Sequence, residues 1–167
     1  MVSVALTHTQ QKQLDEFNTA ANRFLAFIEP LSESDLDQRE EPGGWSIRQI
    51  VHHVSDDGDA WAFQMKRAIA TPGVPARFEC FPGNEAWAAA LNFEGRAIGP
   101  DLVLIHAHNR AMAALAADFP NDWQCNVIFQ DENGKQVGSV SVSDMLTFLT
   151  EHLQEHTETI TRILEKK

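Results

Sequence analysis

Seven histidines occur in this chain of 167 residues, and four of them fall in two short fragments whose spacing could do chemistry. One fragment is Pro42-Gly43-Gly44-Trp45-Ser46-Ile47-Arg48-Gln49-Ile50-Val51-His52-His53. The other is Glu151-His152-Leu153-Gln154-Glu155-His156. Residues four apart on a helix leave one face on successive turns, so His152 and His156 present their rings together. With one ring from the first fragment, they offer three imidazoles to a single divalent metal. Three nitrogen donors leave a metal with open positions, the pattern of a catalytic rather than a closed structural site.

The HxxxH spacing alone is a weak signal, because two surface histidines satisfy it as well. It is not HExxH, since Leu153 follows His152, and Glu155 lies off the shared face. His53 stands three residues after Ile50 and six after Ile47, so it leans toward the apolar side of its helix. Two readings stay open for it: a metal ligand, or a core histidine bonded to a backbone carbonyl. His52 is about a hundred degrees away around the helix and is expected to flank the site or meet solvent. Asp56, one turn after His53, is a candidate acceptor for a ring N–H, against a plain surface charge. His106 and His108 diverge, so at most one faces the interior; His108, close to Arg110, is the pocket candidate. His8 is expected to be solvated. No side chain stands out as a general base.

The elements that must position these residues follow from apolar spacing. Leu14, Phe17, Ala21, Phe24, Leu25 and Ile28 recur at three- and four-residue steps and predict a helix from about Thr7 to Glu29. Ser32 predicts a cap on a short extra turn. Ser46 predicts the start of a second long helix, running to about Ala70, with Ile47, Ile50, Val51, Val54, Trp61, Met65 and Ile69 as its apolar stripe. Gly58 lowers its propensity midway. Residues 71–98 read as an irregular crossover, with a short helical piece around Asn84 to Leu91. Pro100-Asp101 opens a third helix to about Asp118, with Leu102, Ile105, Ala113 and Leu115 inside. Asp131-Glu132-Asn133-Gly134 lies between two β-prone runs and predicts a hairpin. Ser143 is expected to cap the last helix. Four long amphipathic helices pack most simply as a bundle, where metal sites form between facing helices.

Composition bounds the rest. The length suits a single domain spanning 1–167. Net charge is −11, from 24 acidic and 13 basic residues, which argues against nucleic acid and anionic membrane surfaces as partners. Two cysteines, Cys80 and Cys125, without CxxC spacing, fit a reducing cytoplasm, and whether they pair is left open. The first residues lack a basic region followed by an apolar run, so no secretory signal is expected, and no stretch reads as a membrane span.

With these motifs in place, the chain resembles the DinB/YfiT-like superfamily, whose members are assigned as metal-dependent hydrolases. The resemblance begins at Pro42-Gly43-Gly44-Trp45-Ser46 and its helix ending in His52-His53. It continues through Trp87, His108-Asn109-Arg110, the hairpin and the final HxxxH. In that family one histidine of the second helix and two of the last bind a divalent metal, zinc or nickel. Motif alignment places these on His53, His152 and His156. The resemblance implies an all-α, up-down-down-up four-helix bundle with a small β-hairpin before the last helix. It also implies one divalent metal per chain, a homodimer, and a small-molecule substrate. The implied reaction is hydrolysis or S-transfer with a low-molecular-weight thiol such as bacillithiol or mycothiol. The chain departs from the pattern at Thr157 and Thr159, where relatives often carry extra histidines, and at Gly58 and Asp59, where a further histidine can stand. A non-catalytic metal-binding or stress-response protein would use the same three ligands, whereas a purely structural bundle would bind no metal.

Overall fold

The structure is a computed structural model that describes residues 5–77 and 79–166. Four long helices, α1 (His8–Ile28), α3 (Ile47–Ala70), α5 (Gly99–Asp118) and α6 (Val142–Glu165), form the body. Between them lie short helices α2 (Glu33–Leu36) and α4 (Asn84–Ala90) and strands β1 (Val74–Ala76), β2 (Asn126–Gln130) and β3 (Gln136–Ser141). No helix among the described residues is long and apolar enough to cross a membrane.

Helix starts are set by side chains that satisfy the free N–H groups of the first turn. Thr7 with Gln10, Ser32 with Asp35, and Ser46 with Gln49 each form a reciprocal capping box. The expected cap at Ser143 is corrected. Ser141 caps α6, its hydroxyl donating to Asp144 at 2.7 Å, so the helix begins directly where β3 ends. Ser143 instead donates its hydroxyl to Gln13 at 3.0 Å and ties α6 to α1.

Polar contacts fix the helix directions. Gln13, early in α1, reaches Ser143 and Thr147, early in α6, so these two helices run parallel. Arg48, at the start of α3, donates to the carbonyl of Arg96, just ahead of α5, so α3 and α5 also run parallel. Arg162, near the end of α6, meets Glu40, just before α3, so α6 opposes α3. The result is up-down-down-up. A parallel neighbour for α3 requires the chain to return along the bundle, and residues 71–98 make that return.

The interior is filled by Phe17, Phe24, Ile47, Met65, Leu146 and Ile160, among other fully buried side chains. In α5 the expected interior residues Leu102, Ala113 and Leu115 are only partly buried, while Asp101, Ile105, Met112 and Ala116 are buried. The hairpin forms as expected, β2 pairing antiparallel with β3. Its turn is held by Asp131 Oδ1, which accepts from Asn133 and Lys135 N–H, with Gly134 at φ 81°. The crossover adds something unexpected: β1 pairs in parallel with β2, Val74 opposite Val127, making a three-stranded sheet. A three-residue strand containing Pro75 has no alternation to reveal it. Cys80 and Cys125 are free thiols, so no disulfide staples the crossover to the sheet.

Gly58, which lowers the propensity of the second long helix, is where α3 lies close against His108 of α5. A Cβ there would stand 2.7 Å from His108 Nδ1 and 3.2 Å from His108 Cβ. Gly58→Ala should therefore destabilise the fold by about 1 kcal/mol, because overpacking of roughly 1–3 kcal/mol outweighs the gain in helix propensity of about 1. Chemical denaturation of the two proteins measures it.

Candidate metal centre and its cavity

His53 on α3 and His152 and His156 on α6 meet where the two antiparallel helices face each other. The Nε2 atoms of His53 and His152 lie 3.2 Å apart, and those of His152 and His156 2.8 Å. One nitrogen from each ring lies within 4.8 Å of the other two. The rings are held by neighbours. Trp45 and His53 meet edge to face at 5.2 Å between centroids, and the Trp45 indole N–H donates to Glu85 on α4. Phe148, one turn before His152, stacks on that ring at 5.4 Å and 14°.

Asp57 stands behind the cluster. Its Oδ2 lies 3.2 Å from His152 Nδ1 and 3.9 Å from His53 Nε2. A carboxylate against Nδ1 favours the tautomer with the proton there, leaving the Nε2 lone pair for the cluster. The expected role of Asp56 is thereby corrected. Asp56 Oδ2 accepts instead from the Trp87 indole N–H at 2.7 Å, securing the crossover to α3. Asp57 is four residues from His53 and Asp56 three. Helical spacing admits both, and only the position of α6 decides between them.

Burial sets the charge of the site. It lowers the pKa of His53 to about 4 and that of His156 to about 3, with the neighbouring imidazoles adding repulsion. His152 is also lowered by burial, although Glu155 pulls the other way. Asp57 is raised to about 7, first by burial and then by the charge of Asp56. Neutral imidazoles converging through Nε2 are a donor set that suits a divalent transition ion.

The cluster opens into a cavity of about 760 Å³ between α3, α6 and the crossover. His53 and His152 border it, together with Asp56 and Asp57. Sequence reasoning missed the aromatic walls from Phe81 and Phe148. The spacing of Phe148, four before His152, was the available signal.

The other histidines lie elsewhere. His52 neither flanks the cavity nor meets solvent: it is fully buried and faces α5. Its Nδ1 lies 3.0 Å from Asp101 Oδ1, and its Nε2 3.3 Å from the carbonyl of Arg96. Arg48, His52 and Ser55 form a second buried stripe, because α3 is covered by α5 as well as α6. His108 does not line the cavity; its Nε2 meets Asp59 at 2.9 Å. His106 and His8 are exposed.

A bundle with three convergent imidazoles beside a cavity defines a candidate metal-binding helical protein. The family pattern of the DinB superfamily matches residues 16–160, and the chain belongs to that superfamily. Among curated relatives, a provisionally named metal-dependent hydrolase of Oceanobacillus iheyensis is 25% identical over 82% of this chain and 75% of its own. Another of that description from Bacillus mycoides is 24% identical over 93% of this chain and 85% of its own. Among solved structures, YfiT of Bacillus subtilis, described as a probable metal-dependent hydrolase with an unusual four-helix bundle topology, aligns with a TM-score of 0.77 at 20% identity. That match covers 99% of this chain and 91% of YfiT. A mycothiol-dependent maleylpyruvate isomerase shares the fold at a TM-score of 0.69 and 13% identity, over 90% of this chain and 60% of the isomerase.

The two histidine neighbours have separable duties. Asp101→Ala should cost about 1–3 kcal/mol, because it strips the partner from the buried His52 ring. It should leave metal content unchanged. Thermal denaturation beside metal analysis of the same preparation checks both halves.

Proposed function

We propose that this protein is a small metal-dependent enzyme in which His53, His152 and His156 hold one divalent transition ion, zinc or nickel. The substrate is a small organic molecule, and the reaction is hydrolysis or S-transfer with a low-molecular-weight thiol. The observation that carries the reading is the convergence of three neutral imidazoles beside a cavity large enough for a substrate. A module that only stores or senses metal has no need of that space. When bound, the ion supplies Lewis acidity, which polarises a ligand and eases loss of its proton.

The chain's own residues do the remainder. Asp57 holds the Nδ1 proton of His152 and so aims that ring. Its carboxyl also borders the cavity, where burial makes it a stronger proton acceptor than a solvated carboxylate. Asp57 is thus the candidate general base that the sequence did not reveal. Trp45 and Phe148 pack against two of the rings and keep them from turning away. Assignment of the relatives as metal-dependent hydrolases supports the metal chemistry, and the mycothiol dependence of the isomerase makes thiols the first co-substrates to try.

Protein purified without added metal should carry about one equivalent of zinc or nickel, by the three-ligand logic of such sites. His152→Ala should carry less than about a tenth of that, since it removes the central donor. Unchanged metal content in a folded variant would overturn the assignment.

Proton competition gives a second check. An imidazole binds metal only when neutral, and a solvated ring loses about tenfold in affinity per pH unit below its pKa of about 6.5. Between pH 7.5 and 5.5, three solvated rings would together lose on the order of a thousandfold. His53 and His156 stay neutral over that whole range, because their pKa values lie below it. The apparent affinity should therefore fall far less, by about tenfold to thirtyfold, arising from protonation of Asp57 and His152. Equilibrium dialysis against a competing chelator across this range measures the slope.

A further inference from the structure

The chemistry of the cavity wall is one-sided. Four carboxylates border it, those of Asp56, Asp57, Asp59 and Glu79, and no lysine or arginine is among its described lining residues. Three guanidiniums lie nearby, and each is engaged: Arg77, which shares an adjoining pocket with Arg67 and Glu79, donates to Gln130. Arg67 is bonded to the carbonyl of Pro75 and to Gln64, and Arg96 reaches Asp101 and the carbonyl of Leu91. The remaining wall is aromatic. Phe63 is 60% exposed, Phe81 45%, Trp87 37% and Phe148 41%, so four large rings stand open around one space. Open rings of that size gathered in one cavity mark a binding surface. Their faces carry negative quadrupole charge, which attracts cations. Arg67 already shows the contact, its guanidinium carbon 5.7 Å from the Phe63 centroid.

The carboxylates are not all committed. Asp59 gives one oxygen to His108 and its side chain remains 64% exposed. Glu79 is exposed on the crossover side. Asp56 uses one oxygen on Trp87 and keeps the other. A ligand entering this space meets apolar ring faces with negative charge between them. An anionic group would meet the same charge as repulsion, and salt should weaken that repulsion because Asp59 and Glu79 are exposed.

We propose that the cavity selects an organic cation, a small molecule with an apolar or aromatic body and an ammonium group, and discriminates against carboxylates and sulfonates. This rests on the reading above, in which the three-histidine cluster is the reacting end of the same cavity. The aromatic walls hold the body, Asp59 and Glu79 face the ammonium at the mouth, and the rest of the molecule extends toward His53 and His152.

Three probes of one shape and different charge test this: (2-phenylethyl)trimethylammonium, 2-phenylethanol and 2-phenylethanesulfonate. The quaternary ammonium has no lone pair with which to ligate a metal. Their binding is measured by calorimetry on the full chain, both as purified and after stripping with chelator. The expected order in both states is cation, then alcohol, then sulfonate. The cation should lead the alcohol by about tenfold at low salt, and the gap should narrow as salt rises. In the double variant Asp59→Asn, Glu79→Gln, the lead of the cation over the alcohol should shrink severalfold while the alcohol is unchanged, the rings and Asp56 holding what remains. The alcohol thus reports that the cavity persists; if it too is lost, the ranking and salt dependence of the unaltered protein decide. Three results would overturn the proposal: sulfonate binding as tightly as the cation to stripped protein, a cation preference undiminished in the double variant, or no saturable binding of any probe. A protein found to carry no metal would defeat the metal assignment while leaving the ranking on stripped protein to be read independently.

Discussion

Everything in this structure turns on α3 being covered on two sides at once. A bundle helix with one buried face can keep its polar residues in water. This one packs against α6 along one stripe and α5 along another, so polar groups on both stripes leave water and need partners. On the α6 side His152 and His156 meet His53, with Asp57 of α3 itself beside them. On the α5 side Asp101 and the Arg96 carbonyl meet His52, while Glu33 and Asp37 take the buried guanidinium of Arg48 at 2.6 and 2.9 Å. The adjacent histidines His52 and His53 thus belong to different interfaces. One orients the helix pair and the other serves the cavity.

The same burial that makes the histidines costly makes them useful. Rings withdrawn from water resist protonation and stay available as donors, while a carboxylate in the same place is pushed toward holding its proton. Opposite shifts in neighbouring groups are the arrangement from which acid–base roles arise. Here they come from one cause, the meeting of α3 and α6 under the crossover. That crossover closes the site through two indole N–H groups: Trp45 donates to Glu85 and Trp87 to Asp56, each at 2.7 Å. The acidic excess of the chain, which from composition argued against nucleic acid and anionic membranes, is concentrated in part on this cavity. There it becomes a property of the site.

Much of the bundle was legible because it rests on local rules. Apolar spacing set α1 and α3 within a residue or two, and Ser46 and Ser32 announced their helix starts through capping chemistry. The Asn-Gly turn marked the hairpin. Legibility failed where a choice depended on a distant partner. Ser141 and Ser143 are both fit to cap α6, and it is the end of β3 that selects Ser141. Strand β1 has no pattern of its own and exists because β2 offers an edge. In α5, small alanines made the buried face hard to read, and close approach to Gly58 decided it.

The site divides in the same way. Sequence by itself determined that His152 and His156 share a face and that His53 leans inward, because helical phase is a local property of the backbone. It also determined the charge of the chain and the residues available to line a site. Only the tertiary structure decided that His52 turns to α5, that Asp57 and not Asp56 stands behind His152, and that Phe81 and Phe148 enclose the space beside the rings. Those outcomes depend on which helix lies opposite, and a residue's distance from a neighbour a hundred positions away is not written in its own periodicity.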